Sequence, residues 1–497
     1  MNLIPPKYGT TPNYFCTWDA QHTYNKNVGN TDPLAHVGDQ GASYARESLN
    51  ENSLFGKNGI ALQHKEIRGD LFLVLDDGWD VPYGLNPSIQ RHEFGSLLLN
   101  EDRFPSFAGN PAERLRKINE KVKELGWRGI GLWVASQARG EHDDKKLPLE
   151  EAEVYWRERV IWSREAGIPY WKVDWGVYAT DPAFREMLTK IGKELYPELL
   201  IEHCVCMNPY NKGKGRISTW EPQASLCKEI FYFSDVFRSY DVINPFGPMV
   251  TMDRVAHLLT STVADDALGL INCEDQVYLG AALGCTLGIM RASMDRENPS
   301  NKMNEPIRAV KWQRIAPAFG AEKAKTYVSD EIVYDSWFFE HGETWAAEVH
   351  SKEVKQGSPL AVSRGISLPI ATGFKEKAPF MAAARNPTGA VSIVTLPRIF
   401  AERRVETPLC NILLEECPAD CPIGIFGYYG QLTLGFDKTV NGKKIYAQDL
   451  ACDTAVDITK DVTVDDTRLT ICGSLIRKIS GSLADDKSEP GIVILLV

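Results

Sequence analysis

The sequence has 497 residues, 43% of them hydrophobic, and a formal net charge of -11. A chain of this length can bury a large core and is expected to form two or three domains. Its Lys and Arg residues are scattered rather than clustered, which argues against a nucleic acid or an anionic membrane surface as a partner. No apolar run approaches the roughly 20 residues that a membrane-spanning helix needs.

The first residues of the chain, Met1 to Lys7, lack the apolar core of a signal peptide. The sequence as printed therefore favours a cytoplasmic location, although a secreted or periplasmic protein whose leader has been removed would start in the same way. The eleven cysteines are an odd number in a long chain and indicate reduced, mostly buried thiols. Because Cys204-x-Cys206 and Cys417-x-x-x-Cys421 lack a second pair at zinc-finger spacing, no metal site is predicted.

From about residue 12 to residue 320, short apolar segments alternate with amphipathic helices, as in parallel strands joined by crossover helices. Asn110-Pro111 and Asp181-Pro182 are typical helix starts, since an N-cap side chain precedes a proline in the first turn. Eight strands are predicted, the number that closes a (β/α)₈ TIM barrel. They are Tyr14–Trp18, Leu71–Leu75, Gly129–Val134, Pro169–Val173, Leu199–His203, Ile230–Phe233 or its continuation to Arg238, Leu268–Asn272 and Cys285–Ala292.

After about residue 325 the pattern changes to β-rich segments separated by turn signals. The predicted strands are Ile332–Phe339, Thr344–His350, Ala390–Leu396, Ile423–Phe426, Gln431–Phe436, Lys444–Ala447 and Leu469–Ile471. Asn441-Gly442, between two of them, is a strong hairpin signal. The sequence therefore predicts an α/β chain with a catalytic barrel at residues 1–325 and a C-terminal antiparallel β-sandwich at residues 326–497.

Polar residues just after the barrel strands are the first candidates for a site, because barrel enzymes carry their catalytic residues at the C-terminal strand ends. One Asp after a strand is more often a helix N-cap than a catalyst. Four polar strand ends on one rim nevertheless favour a shared site. These ends are Asp76-Asp77-Gly78-Trp79, Lys172-Val173-Asp174-Trp175, Glu202-His203-Cys204 and Arg238-Ser239-Tyr240-Asp241.

The fourth strand carries the candidate nucleophile. Lys172 and Asp174 lie two positions apart, so both side chains point to one side of the strand, and the ammonium is expected to keep the carboxylate ionised. A retaining glycosidase needs such a carboxylate and a second, protonated carboxyl about 5–5.5 Å away. Asp241 is the candidate for this acid/base, with Asp235 as the alternative.

Other residues at the same rim are expected to bind the substrate. Asp76 and Asp77 together offer up to four acceptor oxygens to sugar hydroxyls. Trp18 and Trp133, at the ends of the first and third strands, present the aromatic surfaces that commonly pack on sugar rings. His203 is expected to be a hydrogen-bonded core residue.

The strand-end motifs resemble those of the melibiase-like α-galactosidases, a clan of retaining glycosidases with a (β/α)₈ barrel and a C-terminal β-sandwich. Asp76-Asp77-Gly78-Trp79 is similar to the clan's galactose-binding motif, and Arg103-Phe104-Pro105 with Gly129–Trp133 to its Phe-Pro, helix and Gly-Leu-Trp stretch. The resemblance covers roughly residues 14–320. It implies that Asp174 is the nucleophile and Asp241 the acid/base. The substrate-binding positions that it implies are Asp76, Asp77, Trp18, Trp133, Lys172, Cys204 and Arg238.

The sequence departs from the clan at three strand ends. Position 242 is Val where a second acidic residue is common, and Trp175-Gly176 stands where many members place an Asn or Cys. The fifth strand end, Cys204 to Asn208, lacks the glycine-rich form of one branch. The fifth strand helps to set what is accepted at C2 of the sugar, so the departure leaves the glycone open.

The expected activity is retaining exo-hydrolysis of terminal α-galactosides or a closely related sugar, without metal or organic cofactor. The alternatives are an α-N-acetylgalactosaminidase, a β-L-arabinopyranosidase, a raffinose-type transglycosidase and, from another class, a catalytically silent carbohydrate-binding protein. The expected partner is an oligosaccharide or glycoside substrate, and homo-oligomer formation stays open.

Overall fold

The computed structural model describes residues 1–27, 38–205, 210–211, 216–217, 220–239, 245–261, 269–292, 302–340, 352–481 and 487–497. No helix in these ranges combines the length and the apolar character that a membrane span requires. The ten cysteines within them are free thiols, and seven of these are buried.

Eight parallel strands form one sheet that curls into a nearly closed barrel, which confirms the predicted TIM barrel. Neighbouring strands pair in chain order, and the last strand returns to the first, with Tyr14 opposite Gly288. The seventh and eighth strands meet through a bridge between Asn272 and Thr286. The barrel strands are β1 Asn13–Cys16, β2 Leu71–Leu75, β3 Gly129–Val134, β4 Tyr170–Val173, β5 Leu200–His203, β6 Val236–Arg238, β7 Leu270–Asn272 and β8 Gly288–Ile289.

The sixth predicted strand is wrong in its first part, because Ile230–Phe233 is the end of a helix. Ala224, Cys227, Ile230 and Phe231 are buried at three- and four-residue intervals, which is the period of a helix and not of a strand. Only the continuation to Arg238 forms β6. The first and last strands are also shorter than predicted, and Trp18 lies in the helix that follows β1.

Helices follow the barrel strands and begin at the predicted caps. Asn110 and Glu113 form a reciprocal capping box, and the Asp181 side chain accepts a hydrogen bond from the Phe184 backbone. The helices are Thr17–Asn27, Gly38–Ser48, Glu51–Phe55, Pro87–Gln90, Pro111–Glu124, Leu149–Ala166, Pro182–Leu195, Trp220–Phe233, Gly247–Ser261, Val277–Leu283, Asn304–Trp312 and Gly473–Ser480.

The C-terminal part of the chain forms two main sheets. The large sheet has eight strands, in the order Thr326–Val328, Ala361–Arg364, Phe380–Arg385, Val391–Leu396, Ile423–Phe426, Gly491–Leu496, Ile445–Asp449 and Val456–Asp457. The small sheet has five, in the order Ile370–Thr372, Asn411–Cys417, Gln431–Phe436, Arg468–Cys472 and Thr463–Asp465. Shorter two-stranded pairs are Ile332–Phe339 with Lys352–Pro359, Arg398–Phe400 with Arg404–Glu406, and Tyr210–Asn211 with Arg216–Ile217.

The predicted C-terminal β-sandwich is confirmed, although both of its sheets are mixed rather than antiparallel throughout. Strand Val391–Leu396 runs parallel to Ile423–Phe426, and Asn411–Cys417 runs parallel to Gln431–Phe436. The predicted hairpin at Asn441-Gly442 is wrong, since the strands on either side of this turn belong to different sheets. The predicted strand Thr344–His350 lies outside the described residues.

The large sheet lies between the barrel and the small sheet. In strand Phe380–Arg385, Phe380 and Ala382 join the hydrophobic core of the barrel, whereas Met381 and Ala383 join the core between the two sheets. A buried, bidentate ion pair between Arg308 and Asp449 also links the barrel to this sheet. Arg308 Nε lies 2.8 Å from Asp449 Oδ1, and Arg308 Nη2 lies 2.9 Å from Asp449 Oδ2. The division of the chain at residue 325 stays a prediction.

Candidate active site

Asp174 follows β4 at the C-terminal end of the barrel, and its side chain is buried. Its Oδ2 atom accepts a hydrogen bond from Trp133 Nε1 at 3.1 Å and lies 3.2 Å from Arg238 Nη2. Its Oδ1 atom is buried and has no hydrogen-bond partner among the described residues. Because buried carboxylate oxygens are normally hydrogen-bonded, this one is available to a ligand or to a reaction.

Lys172 is not paired with Asp174, contrary to the prediction. Its ammonium lies 2.6 Å from Asp76 Oδ2 and 3.7 Å from Glu274 Oε1. Two residues along a strand differ by about 6.6 Å in height. Lys172 therefore lies deeper in the barrel than Asp174, where its ammonium reaches side chains from other strands.

The cation beside Asp174 is Arg238, the last residue of β6. Its buried guanidinium contacts three carboxylates: Asp174, Glu202 at 3.4 Å between Nε and Oε1, and Glu274. Glu202 is itself held by hydrogen bonds from Tyr170 at 2.7 Å and Tyr14 at 3.1 Å. Arg238 is thus fixed from several directions and positions the Asp174 carboxylate.

These contacts set the charges of the buried groups. Burial lowers and Asp76 raises the pKa of Lys172, and the net result lies well above its usual range. Burial raises the pKa of Asp76, but Lys172 and the hydrogen bond from Cys16 bring it below its ordinary value. For Arg238, burial lowers the pKa, whereas Cys204, Glu274 and Asp174 raise it well above its usual range. The Lys172–Asp76 pair and Arg238 therefore stay charged at neutral pH.

Asp77 is the second acidic residue after β2, and it faces a different cation. Arg46 Nη2, from the helix Gly38–Ser48, lies 2.8 Å from its Oδ2 atom. Its Oδ1 atom is buried without a hydrogen-bond partner in the described part of the chain. Burial raises the pKa of Asp77; Arg46 lowers it, whereas Asp76 and Asp174 raise it further. The effect of Asp174 on the pKa of Asp77 shows that the two carboxylates lie within electrostatic range of each other.

Asp76 and Asp77 do not offer four available oxygens, as the sequence suggested. Asp76 Oδ2 accepts from Lys172 and Cys16, and Asp76 Oδ1 accepts from the Asp77 backbone at 2.9 Å. Arg46 occupies one oxygen of Asp77. Within the described structure, only Asp77 Oδ1 is left for a ligand.

The fold is similar to that of α-galactosidase I from Mortierella vinacea, with 11% sequence identity and a TM-score of 0.37 over 98% of this chain and 96% of that chain. It is also similar to that of a protein provisionally assigned as an α-N-acetylgalactosaminidase from Bacillus halodurans. For this second structure the identity is 10% and the TM-score 0.41, over 100% of this chain and 99% of that chain. An α-amylase from Anoxybacillus matches with 9% sequence identity and a TM-score of 0.40, over 98% of each chain. No protein-family model matches the sequence, and no curated protein sequence matches it significantly. At these identities and TM-scores, the likenesses carry no information about activity.

Asp235, the alternative acid/base, lies at the opposite end of the barrel. It precedes β6, accepts a hydrogen bond from the Ile201 backbone at 3.0 Å, and lies 2.5 Å from Lys193 Nζ. This position removes Asp235 from the candidates, because Asp174 follows its strand rather than precedes it. Asp241 and Cys206 lie outside the described residues, so the predicted role of Asp241 stays a prediction.

The remaining predicted residues are in or near the same space. Trp133 contacts Asp174 directly, and Cys204 is buried beyond the end of β5. Trp18 is partly buried, with its ring centroid 6.0 Å from the Arg46 guanidinium. His203 is a core residue, as expected: it lies 2.8 Å from Thr189 Oγ1, and burial holds its pKa far below the usual range.

Sequence reasoning missed Glu274 and Arg46, and it named Glu202 among the polar strand ends without giving it a role. Glu274 follows β7 by two positions, so the strand-end rule would have found it if applied to the seventh strand. Glu202 is an acidic residue inside a short apolar strand, which is a weaker signal. Arg46 comes from a helix inserted between β1 and β2, far along the chain from Asp77, and no local pattern marks it.

Proposed function

We propose that this chain is a retaining exo-glycosidase that hydrolyses terminal α-galactosides or a closely related sugar, with Asp174 as its nucleophile. The observation that carries the proposal is the asymmetry of the Asp174 carboxylate. One oxygen is held by Trp133 and lies beside Arg238, and the other is buried without a hydrogen-bond partner among the described residues. A nucleophile needs such an oriented carboxylate with one uncommitted oxygen.

In the proposed first step, Asp174 Oδ1 forms a bond to the anomeric carbon while the bond from that carbon to the glycosidic oxygen breaks. The acid/base carboxyl donates its proton to the leaving oxygen. In the second step, the same group takes a proton from water, whose oxygen displaces Asp174 and releases the sugar with its original configuration. Arg238 stabilises the negative charge that returns to Asp174 in this step, because its guanidinium nitrogen lies 3.2 Å from Oδ2.

The charged pair of Arg46 and Asp77 supports recognition of a neutral, hydroxyl-rich ring. It places a donor beside Asp77 Oδ1, the acceptor oxygen that is open among the described residues. Adjacent hydroxyls of a sugar can donate to one member of such a pair and accept from the other. The resemblance of Asp76-Asp77-Gly78-Trp79 to the clan's galactose-binding motif favours galactose among such rings.

The substrate proposal is tested with three aryl glycosides: an α-D-galactoside, an α-N-acetylgalactosaminide and a β-L-arabinopyranoside. The α-galactoside is expected to be hydrolysed with the highest kcat/KM, and proton NMR is expected to show α-galactose as the first product. First release of the β-anomer would contradict the retaining mechanism. Binding of galactose without turnover of any of the three would favour the silent carbohydrate-binding protein, and transfer of galactose to added sugars would favour the transglycosidase.

Asp77→Asn is expected to weaken sugar binding and turnover together, because Asp77 is placed to contact the sugar in both the ground state and the transition state. The loss in kcat/KM should be about 10- to 100-fold, the range for a hydrogen bond to a charged group. Asp143→Asn, at an exposed position, is the matched control. Unchanged kcat/KM in Asp77→Asn, with an unchanged melting temperature, would remove Asp77 from the site.

Asp241→Ala tests the acid/base. If Asp241 is the general acid, the variant should lose most activity on sugars with poor leaving groups but keep glycosylation by an activated aryl glycoside, whose leaving group needs no proton. Added azide, which needs no base, should then accelerate turnover and give a glycosyl azide of retained configuration. Asp235→Asn, at the opposite end of the barrel, is the control. Equal losses on both leaving groups without an azide response would rule out this role.

A further inference from the structure

An open cleft of about 470 Å³ lies on the rim of the barrel, outside the candidate active site. Its walls come from the loops that follow β1 and β2, so it lies at the same end of the barrel as Asp174. The residues that line it include Asn50, Glu51, Asn52, Phe55, Tyr83 and Asp102. We call it the Tyr83 cleft.

Tyr83 is an exposed ring that is nevertheless held in place. The Arg103 guanidinium carbon lies 4.1 Å from the ring centroid. The backbone on either side is also fixed: Pro82 accepts from Arg103 at 3.1 Å, and Gly84 donates to Glu47 at 2.9 Å. The residue is still 43% exposed, and it lines the cleft.

The Tyr83 cleft and the candidate active site share a wall. Arg103 is buried and donates to the carbonyl oxygen of Arg46 at 2.6 Å and to that of Val81 at 2.7 Å. Arg46 in turn pairs with Asp77 at 2.8 Å. A ligand long enough to extend from Asp77 over this wall would therefore reach Tyr83.

The chemistry of the cleft matches an uncharged sugar ring. An aromatic face that is already ordered can pack on the C–H face of a sugar without a large loss of side-chain entropy. Around it, Glu51, Asp102 and Asn52 supply carboxylate and amide groups for hydroxyls. The two carboxylates on the rim disfavour an anionic ligand.

We propose that the Tyr83 cleft binds a remote sugar unit of an oligosaccharide whose terminal unit occupies the candidate active site. The inference rests on the proposed function and makes its substrate class more specific: α-galactosyl oligosaccharides of several units, in preference to simple glycosides. Tyr83 is the binding platform, and Arg103 positions it.

The test compares kcat/KM on an aryl α-galactoside, melibiose, raffinose and stachyose for the wild type and Tyr83→Ala. We expect Tyr83→Ala to keep kcat/KM on the aryl galactoside within twofold of the wild-type value. On the longest sugar it should lower kcat/KM about five- to tenfold, the effect of one lost aromatic contact. Tyr83→Trp should restore most of this loss. Tyr8→Ala is the matched control, because Tyr8 is also an exposed tyrosine near an arginine, Arg314, but lies beside Asp70 at the other end of the barrel.

Equal changes on the short and the long substrates, or no change on either, would overturn the proposal. If the wild type hydrolyses none of the four substrates, the proposed function fails. Isothermal titration calorimetry with stachyose then tests whether the Tyr83 cleft binds an oligosaccharide. Stachyose binding that Tyr83→Ala weakens and Tyr8→Ala preserves would support an oligosaccharide site at Tyr83. Absent binding, or binding that Tyr83→Ala leaves unchanged, would overturn it.

Discussion

Asp174→Ala is expected to lower kcat/KM on the best aryl glycoside by at least about 10⁴-fold, the scale on which loss of a catalytic nucleophile acts. The alanine side chain cannot form the glycosyl ester, and Arg238 and Trp133 would then hold no nucleophile. Azide can enter the space left by the carboxylate and attack the anomeric carbon directly. Its product should be a glycosyl azide of inverted configuration, which NMR distinguishes from the retained product.

The comparison needs a control for the loss of an acidic residue as such. Asp143→Ala removes an exposed carboxylate and should keep wild-type kinetics. Activity of Asp174→Ala within tenfold of the wild type would show that Asp174 is not the nucleophile. Retained configuration in an azide product would point to another carboxylate as the covalent partner.

Arg238→Met is expected to cause the largest loss of stability among the site variants. The substitution leaves Asp174, Glu202 and Glu274 without the guanidinium that they share, and breaking a buried ion pair costs about 3–5 kcal/mol. Urea unfolding should report this loss. Arg139→Met is the matched control, because its ion pair with Glu93 is about half exposed and such pairs contribute at most about 1 kcal/mol.

The loss in Arg238→Met should depend on pH. Burial raises the pKa of Glu202 above its ordinary 4.5 even though Arg238 opposes the shift, so removal of Arg238 raises it further. A carboxyl whose folded-state pKa is raised binds its proton more tightly in the folded protein, so it favours folding at low pH and ceases to do so as the pH rises through that pKa. The difference in the free energy of unfolding between the variant and the wild type should therefore be smallest near pH 4.5 and largest at pH 8. An equal loss at both pH values would contradict this explanation.

The sequence predicts the barrel well where one strand can be recognised from its own residues. β2 and β3 have the predicted bounds, because each is a continuous apolar run that the fold buries completely. The C-terminal sheets show where such reasoning stops. Turn residues such as Asn441-Gly442 identify a change of direction, but the choice of pairing partner depends on packing between distant segments.

The candidate site was predicted in the same uneven way. Residues at strand ends, such as Asp76 and Asp174, were found from position alone. Their partners were not, because a strand's two-residue period tells which way Lys172 points but not which side chain from another strand meets it. That pairing depends on how the closed barrel staggers its strands, so Lys172 meets Asp76 and Arg238 meets Asp174.

The position of the large sheet has a consequence for protein engineering. Since Phe380 and Ala382 complete the barrel core from outside, and Met381 and Ala383 face the small sheet, this sheet is a wall of two cores at once. Cutting the chain after the barrel would expose the hydrophobic surface of the barrel that the large sheet covers, because the connection is a packed interface and not a flexible linker. The smallest portable unit is therefore the barrel together with both sheets, and grafting the barrel strands alone onto another scaffold would transfer the site without the wall that supports it.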